Sequence, residues 1–457
     1  MGCGLSYLTI CYFICCLQYF NAYFIPKSLF KSQNNIKLHS QKNDKNHNEI
    51  TLSNLVNGIS VSKTIEIHAL TKEMEAKGET VYSLCVGEPD YQPPIQVIDA
   101  TINAVKQGKT KYTAVNGELE LRTGITNDLK LRKNLDYDPT EIVVSSGAKQ
   151  SVMQALMAVV NADDEVLIIA PYWPSYPDMV RICGASPVIL KATADNNYWP
   201  TPDELRAKLL NHPKTSAIIL CNPSNPTGCV SKEDSLKDTA KILKEFPHIT
   251  TISDEIYEQL CYDDIKHVSL ASIEGMKDHC VVINGFSKSH SMTGYRIGYA
   301  AAPIHVAKAM SKLQSQITSC ASSVSQAASI AALSVPDTWI DDRVIELQSK
   351  RDLAYNLLQE IDGITCVKPS GAFYLLPDIS SYFGKMLYTD SSEGGSGIVI
   401  DSSLTMCLEL LRVYNVALVP GEAFGAPNTL RISYAASTSL IKTALSKFKQ
   451  FLERLEN

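Results

Sequence analysis

The sequence predicts an α/β fold: a large domain with a mostly parallel sheet flanked by helices, plus a smaller α+β domain. Three observations predict it. Between Glu141 and Ile283, short apolar runs alternate with stretches of helical spacing, the pattern of a parallel sheet covered on both faces. At 457 residues the chain exceeds what one hydrophobic core organises, which implies two domains. From Pro336 the alternation gives way to a long helix, an isolated strand, a Ser/Gly-rich stretch and a last helix. A hydrophobic share of 45% and a charged share of 20% are ordinary globular composition. A formal charge of −6 without a basic face gives no reason to invoke nucleic acid.

The chain opens with an almost wholly apolar stretch, Leu5 to Phe24, long enough to span a bilayer. Residues 26–49 then turn polar, rich in Asn, Lys, Ser and His, and too poor in apolar side chains to fold. Residues 1–49 are therefore read as a disordered targeting or anchor leader. An apolar segment followed by a basic, acid-poor tract suits a bipartite leader for a plastid-type organelle. An uncleaved membrane anchor, or acylation at Gly2 and Cys3, stays open beside it, as does a cytoplasmic protein. Both Asn-x-Ser/Thr matches, at Asn222 and Asn225, are disqualified by proline. Of thirteen cysteines, four crowd the first sixteen residues; the other nine are scattered without a CxxC pair, so a reducing compartment is expected.

Residues 50–95 read as the N-terminal part of the small domain. Ser62–Ala76 has helical spacing of apolar residues (Ile65, Ala69, Leu70, Met74), stopped by Gly78. Val81–Val86 reads as a strand, Gly87–Asp90 as a turn, and Gln96–Lys106 as a helix. Residues 96–330 form the large domain. Its strands are Glu141–Ser145, Glu165–Ala170, Ala217–Leu220, Ile249–Ser253 and Val281–Ile283, with a helix at Lys149–Val160. Residues 331–457 complete the small domain, with a helix at Val344–Glu360, a strand at Phe373–Leu376, a surface loop near 390–397 and a helix after Ser439.

In an open α/β sheet, ligands bind beyond the carboxyl ends of the strands. The first strand delivers Ser145-Ser146-Gly147-Ala148 into a helix, a turn whose free N–H groups suit a phosphate or simply an ordinary helix cap. The next delivers Trp173, a stacking wall or a core residue. The third delivers the rigid loop Asn222–Gly228, the fourth Asp254 with Tyr257 three residues on, and the fifth Ser287 and Lys288. A buried carboxylate needs a partner. One ligand class uses a phosphate cradle, an aromatic wall, an acid and a lysine together: pyridoxal 5′-phosphate, whose aldehyde a lysine captures as a Schiff base and whose ring nitrogen pairs with an acid.

With these residues in view, the chain resembles the class I aminotransferases of PLP-dependent transferase fold type I, of the bacterial and plastid aspartate or glutamate/aspartate-prephenate type. The motifs VGEPD, KYTAVNGELELR, SSGAKQ, PYWPSY, NPSNPTG, SDEIY, FSKSHSMTGYRIG, GAFYLLPD, VPGEAFG and RISYAAS carry the resemblance, from about residue 60 to the C-terminus. It implies that Lys288 is the catalytic residue and covalent cofactor ligand. It implies that Asp254 partners the pyridine nitrogen, that Tyr257 and Asn225 donate to the ring oxygen, and that Trp173 stacks on the ring. Ala148, Lys149, Ser287 and Arg296 would cradle the phosphate, with Tyr112 reaching across to a neighbouring subunit in a homodimer with shared sites. Arg431 would clamp the substrate α-carboxylate, assisted by Gly87 and Asn225; an arginine fork suits that task. Lys149 would meet a distal carboxylate, which favours aspartate and glutamate with their 2-oxo acids; the residues themselves also allow a solvent-facing Lys149. No metal is implied. Formation of arogenate from prephenate, or a non-catalytic PLP-binding module, are the alternatives. His290 and Tyr295 depart from the family pattern and bear on fine specificity.

Overall fold

In the computed structural model, residues 50–59, 63–388 and 397–456 are described. The leader and nearly all of the Ser/Gly-rich loop lie outside the described residues. Chain contacts separate an N-terminal unit, Met1–Leu52, from Ser53–Asn457, and every described helix and strand belongs to the second unit.

After a first strand β1 (Tyr82–Ser83), the strands β2 (Ile142–Ser145), β3 (Glu165–Ala170), β4 (Ser186–Lys191), β5 (Thr215–Cys221), β6 (Thr250–Asp254), β7 (Cys280–Gly285) and β8 (Gly298–Ala301) follow in chain order. The last seven form one sheet in the order β2-β8-β7-β6-β5-β3-β4. The pairings β4–β3, β3–β5, β5–β6 and β6–β7 are parallel, whereas β8 runs antiparallel to both β7 and β2. The reversal has a local cause. A parallel return needs a crossover of a dozen or more residues, usually a helix. Residues 286–297 hold only one short 3₁₀ turn, Thr293–Tyr295, so the chain comes straight back.

Side chains alternate across the sheet even where every residue is buried. Val143, Val166, Ile168, Ala217, Ile219, Val281 and Ile283 pack on one face. Ile142, Val144, Leu167, Ile218, Leu220 and Val282 pack on the other. This is the two-residue period of a strand covered on both sides. A third core gathers Leu347, Ala354 and Leu358 from the helix Asp337–Gln359 with Phe373, Leu375, Leu410, Ile432 and Phe448, and takes in Ile67 and Leu84.

Several expectations are corrected. The helix Lys63–Ala76 buries Ile67 and Thr71 and packs Met74 against the core as expected, while Ala69 and Leu70 face outward against expectation. Thr71 spends its hydroxyl on Ile67 O at 2.9 Å, which lets a polar residue sit inside. The expected strand Val81–Val86 pairs as a strand only over Tyr82–Ser83, with Val416–Ala417. Beyond Leu84 its carbonyls serve side chains: Cys85 O accepts from Arg431 Nη2 at 2.6 Å and Gly87 O from Lys288 Nζ at 2.6 Å. Strands β4 and β8 are not among those expected from the sequence. β4 is a half-exposed edge containing Pro187, and β8 reads GYAA, with no β-branched residue to mark it. The long helix begins at Asp337, directly after Pro336, rather than at Val344.

Candidate active site

The carboxyl ends of β2, β5, β6 and β7 converge on a cavity of about 550 Å³. Its walls include Gly87, Ala148, Lys149, Trp173, Asn225, Asp254, Tyr257, Ser287, Lys288, Arg296 and Arg431. These are all the site residues expected from the sequence except Tyr112, which is 88% exposed and stands outside this cavity.

At the base, Asp254 ends β6 and is buried. It accepts from Tyr176 Oη at 2.6 Å and from the Ile256 amide at 3.3 Å. Burial pushes its carboxyl up to about 6, against the pull of those hydrogen bonds, with Glu255 adding to the rise and Lys288 opposing it. Lys288 follows β7. Burial brings its amine down to about 8; Arg431 and Arg296 push the same way, while Glu88 and Asp254 oppose. Its Nζ lies 5.8 Å from the Tyr257 ring centre and 6.0 Å from that of Phe373. Tyr257 Oη meets Tyr374 Oη at 2.8 Å.

Gly147 starts the helix Ala148–Val159 with φ +87°. A Cβ there would meet Arg296 Nη2 at 2.5 Å, so only glycine leaves room between the helix N-terminus and that guanidinium. Gly298 serves the same junction: a Cβ on it would meet Ala148 N at 2.3 Å. Lys149 lies in the helix's first turn with Nζ 4.9 Å from the Trp173 ring centre, lining the cavity mouth. Burial, then Arg296, lowers its proton affinity.

Arg431, on the strand Leu430–Ser433, is 4% exposed and lies between the rings of Tyr374 (4.7 Å) and Phe424 (4.9 Å). Nη1 donates to Asn225 Oδ1 at 3.2 Å and Nη2 to Cys85 O, while Nε has no partner. A buried guanidinium held by neutral groups alone favours an incoming carboxylate.

Tyr176, Tyr374, Cys221, Glu88 and Thr293 also line the cavity and were not assigned roles from the sequence. Tyr176 and Tyr374 lie inside the quoted segments PYWPSY and GAFYLLPD, but nothing local marks a phenol as facing a cavity. His290 and Tyr295 do not line it. His290 is buried and stacks on Trp339 at 6.2 Å and 13° between planes; Tyr295 Oη accepts from Thr101 Oγ1 at 3.1 Å. Both departures thus belong to the support of the loop rather than to the cavity wall. Behind Asp254, Glu255, Glu258 and His267 bring their ligating atoms within 4.8 Å of one another. The cation among them is Lys133, paired with Glu255 Oε2 at 2.6 Å and with Glu258.

Pyridoxal phosphate fits this donor set. Asp254 is an acidic acceptor raised by burial, which a ring N–H⁺ would satisfy. The glycine-opened space between the Ala148 helix start and Arg296 suits a phosphate. A mixed α/β sheet with a half-buried lysine and a buried acid lining one such cavity defines a PLP-dependent enzyme of the α/β type.

The chain belongs to the aminotransferases of class I and II, whose family model matches residues 79–448. Enzymes of this class use pyridoxal phosphate. It is 43% identical over 90% of its length, and 85% of the relative's, to the Petunia hybrida bifunctional aspartate aminotransferase and glutamate/aspartate-prephenate aminotransferase. It is 41% identical to an aspartate aminotransferase of Bacillus sp. (strain YM-2), covering 88% of this chain and 99% of that one. Among solved structures, the aspartate aminotransferase of Rhizobium meliloti superposes with a TM-score of 0.84 at 38% identity, covering 89% of this chain and 100% of that one. The Thermus thermophilus aspartate aminotransferase with maleate gives 0.80 at 32% identity, covering 88% and 100%.

Proposed function

We propose that this aminotransferase moves the amino group between L-aspartate and 2-oxoglutarate, giving oxaloacetate and L-glutamate. The observation that carries the reading is the pairing of a buried, carboxylate-free Arg431 with Lys149 at the mouth of one cavity. The first suits the α-carboxylate and the second a distal one. The relatives named aspartate aminotransferase support the same substrate class.

When bound, the cofactor supplies an aldehyde for the amino group and a protonated ring that draws electrons from the substrate Cα. Asp254, oriented by Tyr176, would hold the proton on that ring nitrogen. Asn225 and Tyr257 would donate to the ring oxygen, and Trp173 would stack on the ring. The N–H groups of Ala148 and Lys149, with Ser287 and Arg296, would hold the phosphate, and Gly87 leaves room beside Tyr374, whose Oη a Cβ would meet at 2.7 Å. Lys288 Nζ, which lines the cavity, would take the proton from the substrate Cα and hold it for return. An amine brought down to about 8 has an appreciable neutral fraction near neutral pH, which a general base requires.

The test is Lys288→Ala. It is expected to abolish turnover and the borohydride-sensitive visible band, while single-turnover spectra of the unaltered protein shift with aspartate and with glutamate. Normal transamination by Lys288→Ala would overturn the mechanism. Prephenate is the second reading, favoured by the Petunia hybrida relative's name; its spectral shift is measured beside the others.

The same reading includes a homodimer, supported by Tyr112 and by Ile95, Ile102 and Val105, all exposed on this chain. It includes a large domain of 96–330 and a small one of 50–95 with 331–457, supported by the separate cores. It places the protein in a plastid-type organelle, supported by the leader composition and a plant relative. Membrane contact would come only through an uncleaved leader; no helix among the described residues is long and apolar enough to cross a bilayer.

A further inference from the structure

Tyr374 lines the cavity, yet transamination as proposed gives it no work. It stands on the short strand Tyr374–Leu375, which pairs antiparallel with the strand carrying Arg431. It is buried, and its ring and hydroxyl meet different parts of the site. The Arg431 guanidinium carbon lies 4.7 Å from its ring centre. Its hydroxyl meets Tyr257 Oη at 2.8 Å, and the two rings cross edge to face at 5.8 Å and 81°. The same hydroxyl abuts Gly87, where a Cβ would meet it at 2.7 Å. Gly87 O in turn accepts from Lys288 Nζ at 2.6 Å. One side chain therefore touches the arginine expected to hold the substrate, the phenol expected on the cofactor ring, and the residue that holds the reactive amine.

Which phenol donates follows from the hydrogen-bond count. A phenol has one proton to give and lone pairs with which to accept. Among the described residues, the Tyr374 hydroxyl has no partner besides Tyr257. Were Tyr257 the donor, the buried Tyr374 proton would have no protein acceptor, which is costly. Tyr257 would then have no proton left for a ligand. With Tyr374 donating, both protons are used, one on Tyr257 and one on whatever Tyr257 faces in the cavity. We infer that Tyr374 is a positioning residue for the reaction: its hydroxyl donates to Tyr257 and turns the Tyr257 proton toward the cofactor's ring oxygen, while its ring supports Arg431 for the substrate α-carboxylate. This deepens the transaminase reading and rests on it.

A hydroxyl that accepts a hydrogen bond is polarised into a better donor. A better donor to the ring oxygen stabilises negative charge there, and so lowers the pH at which the cofactor's visible chromophore loses its proton. The face of a phenol ring attracts a guanidinium and, being neutral, leaves its charge for an incoming carboxylate. The charged and titratable groups around the pair are Arg431 on the Tyr374 face, Lys288 with Nζ 5.8 Å from the Tyr257 ring centre, and Glu88 and Cys221 on the cavity wall. Removing the Tyr374 hydroxyl alone alters none of them.

The test uses the holoenzyme with Tyr374→Phe, Tyr374→Leu, Tyr257→Phe, and Tyr257→Phe combined with Tyr374→Phe. The first readout is the midpoint of the visible absorbance change with pH in the absence of substrate. Tyr374→Phe should raise that midpoint, in the same direction as Tyr257→Phe and by less. In the Tyr257→Phe background, Tyr374→Phe should add nothing, because it acts through Tyr257. The second readout is the split between KM and kcat. Tyr374→Phe keeps the ring on Arg431, so its effect should fall on kcat and not on KM. Tyr374→Leu removes the ring as well and should raise KM about tenfold, for mono- and dicarboxylic amino acids alike. A midpoint that stays or falls in Tyr374→Phe overturns the inference. So does an equal shift in the Tyr257→Phe background, or an unchanged KM in Tyr374→Leu. Should the unaltered protein show no pH-dependent visible band with pyridoxal phosphate, the transaminase reading fails instead, so the two failures are distinguishable.

Discussion

Burial, more than any neighbour, sets the behaviour of Asp254, because its acceptors are met only by one phenol and one amide. The rise from 3.8 to about 6 costs the ionised form about 3 kcal/mol at neutral pH in the cofactor-free protein. The folded-state value lies above the unfolded one, so this group favours the fold below about pH 4, and that contribution is lost as pH rises through about 6. Asp254→Asn is therefore expected to raise the Tm of the cofactor-free protein at pH 7.5, to lose most of that advantage near pH 4.5, and to weaken cofactor binding. Melts at the two pH values check it; a lower Tm at both would refute it. His290 works in the opposite sense. Burial first, then Arg132, holds it down at about 4, while a hydrogen bond at Ala332 opposes; Ser289 Oγ meets its Nδ1 at 2.8 Å and Phe286 packs edge-on. A depressed histidine contributes stability above about 6.5 that is lost as pH falls through about 4. His290→Phe, which keeps the stack on Trp339, should flatten that acid loss in denaturant titrations. That Lys288, Asp254 and Arg431 come together at one cavity was legible in the sequence. The weight of Tyr176 and Tyr374 was not, because a phenol's direction depends on packing between distant segments.

Elements matter here through their ends. β8 can lie against the turn before the helix Ala148–Val159 because Gly298 lacks a side chain. Gly298→Ala is expected to cost about 1–3 kcal/mol, as overpacking against backbone does. It should also weaken cofactor affinity, since the helix start would move; equilibrium unfolding and cofactor titration measure the two effects. Just past the carboxyl end of β6, Lys133 closes the helix Leu119–Lys133 onto Glu255 and Glu258. Lys133→Met would leave buried carboxylates without their cation, a change of the kind that costs about 3–5 kcal/mol. Urea unfolding should show it, and a double change with Glu258→Gln should recover part of the loss. The five expected central strands were legible because their apolar runs are long and β-branched. The edge strand β4 and the small-residue strand β8 were not, because their pairing is imposed by the neighbours they meet.

At the scale of the whole molecule, the helix Asp337–Gln359 links the last third of the chain to the loop bearing Lys288. Trp339 stacks on His290, Lys350 pairs with Asp90, and Arg351, fully buried, holds Asp263 through Nη1 and Nη2 at 2.5 and 2.9 Å. Assembly is the other question at this scale. If Tyr112 completes the neighbouring subunit's phosphate site, mixing Tyr112→Ala with Lys288→Ala should regain activity. A mixed dimer would hold one site with both residues, from different chains. Refolding the variants together and assaying against each alone checks it; no gain over the sum would exclude a shared site.

The sequence by itself determined the fold class, the chemistry and most of the cavity wall. Those are written in local patterns: apolar alternation, turns at strand ends, and reactive residues placed just beyond them. Tertiary structure alone decided which groups lack partners and which are neutralised. Asp254 and Glu255 are adjacent in the chain, yet one faces the cavity with a raised affinity for protons and the other is held ionised by Lys133. Successive strand residues point to opposite faces, and what waits on each face comes from segments far away in the sequence.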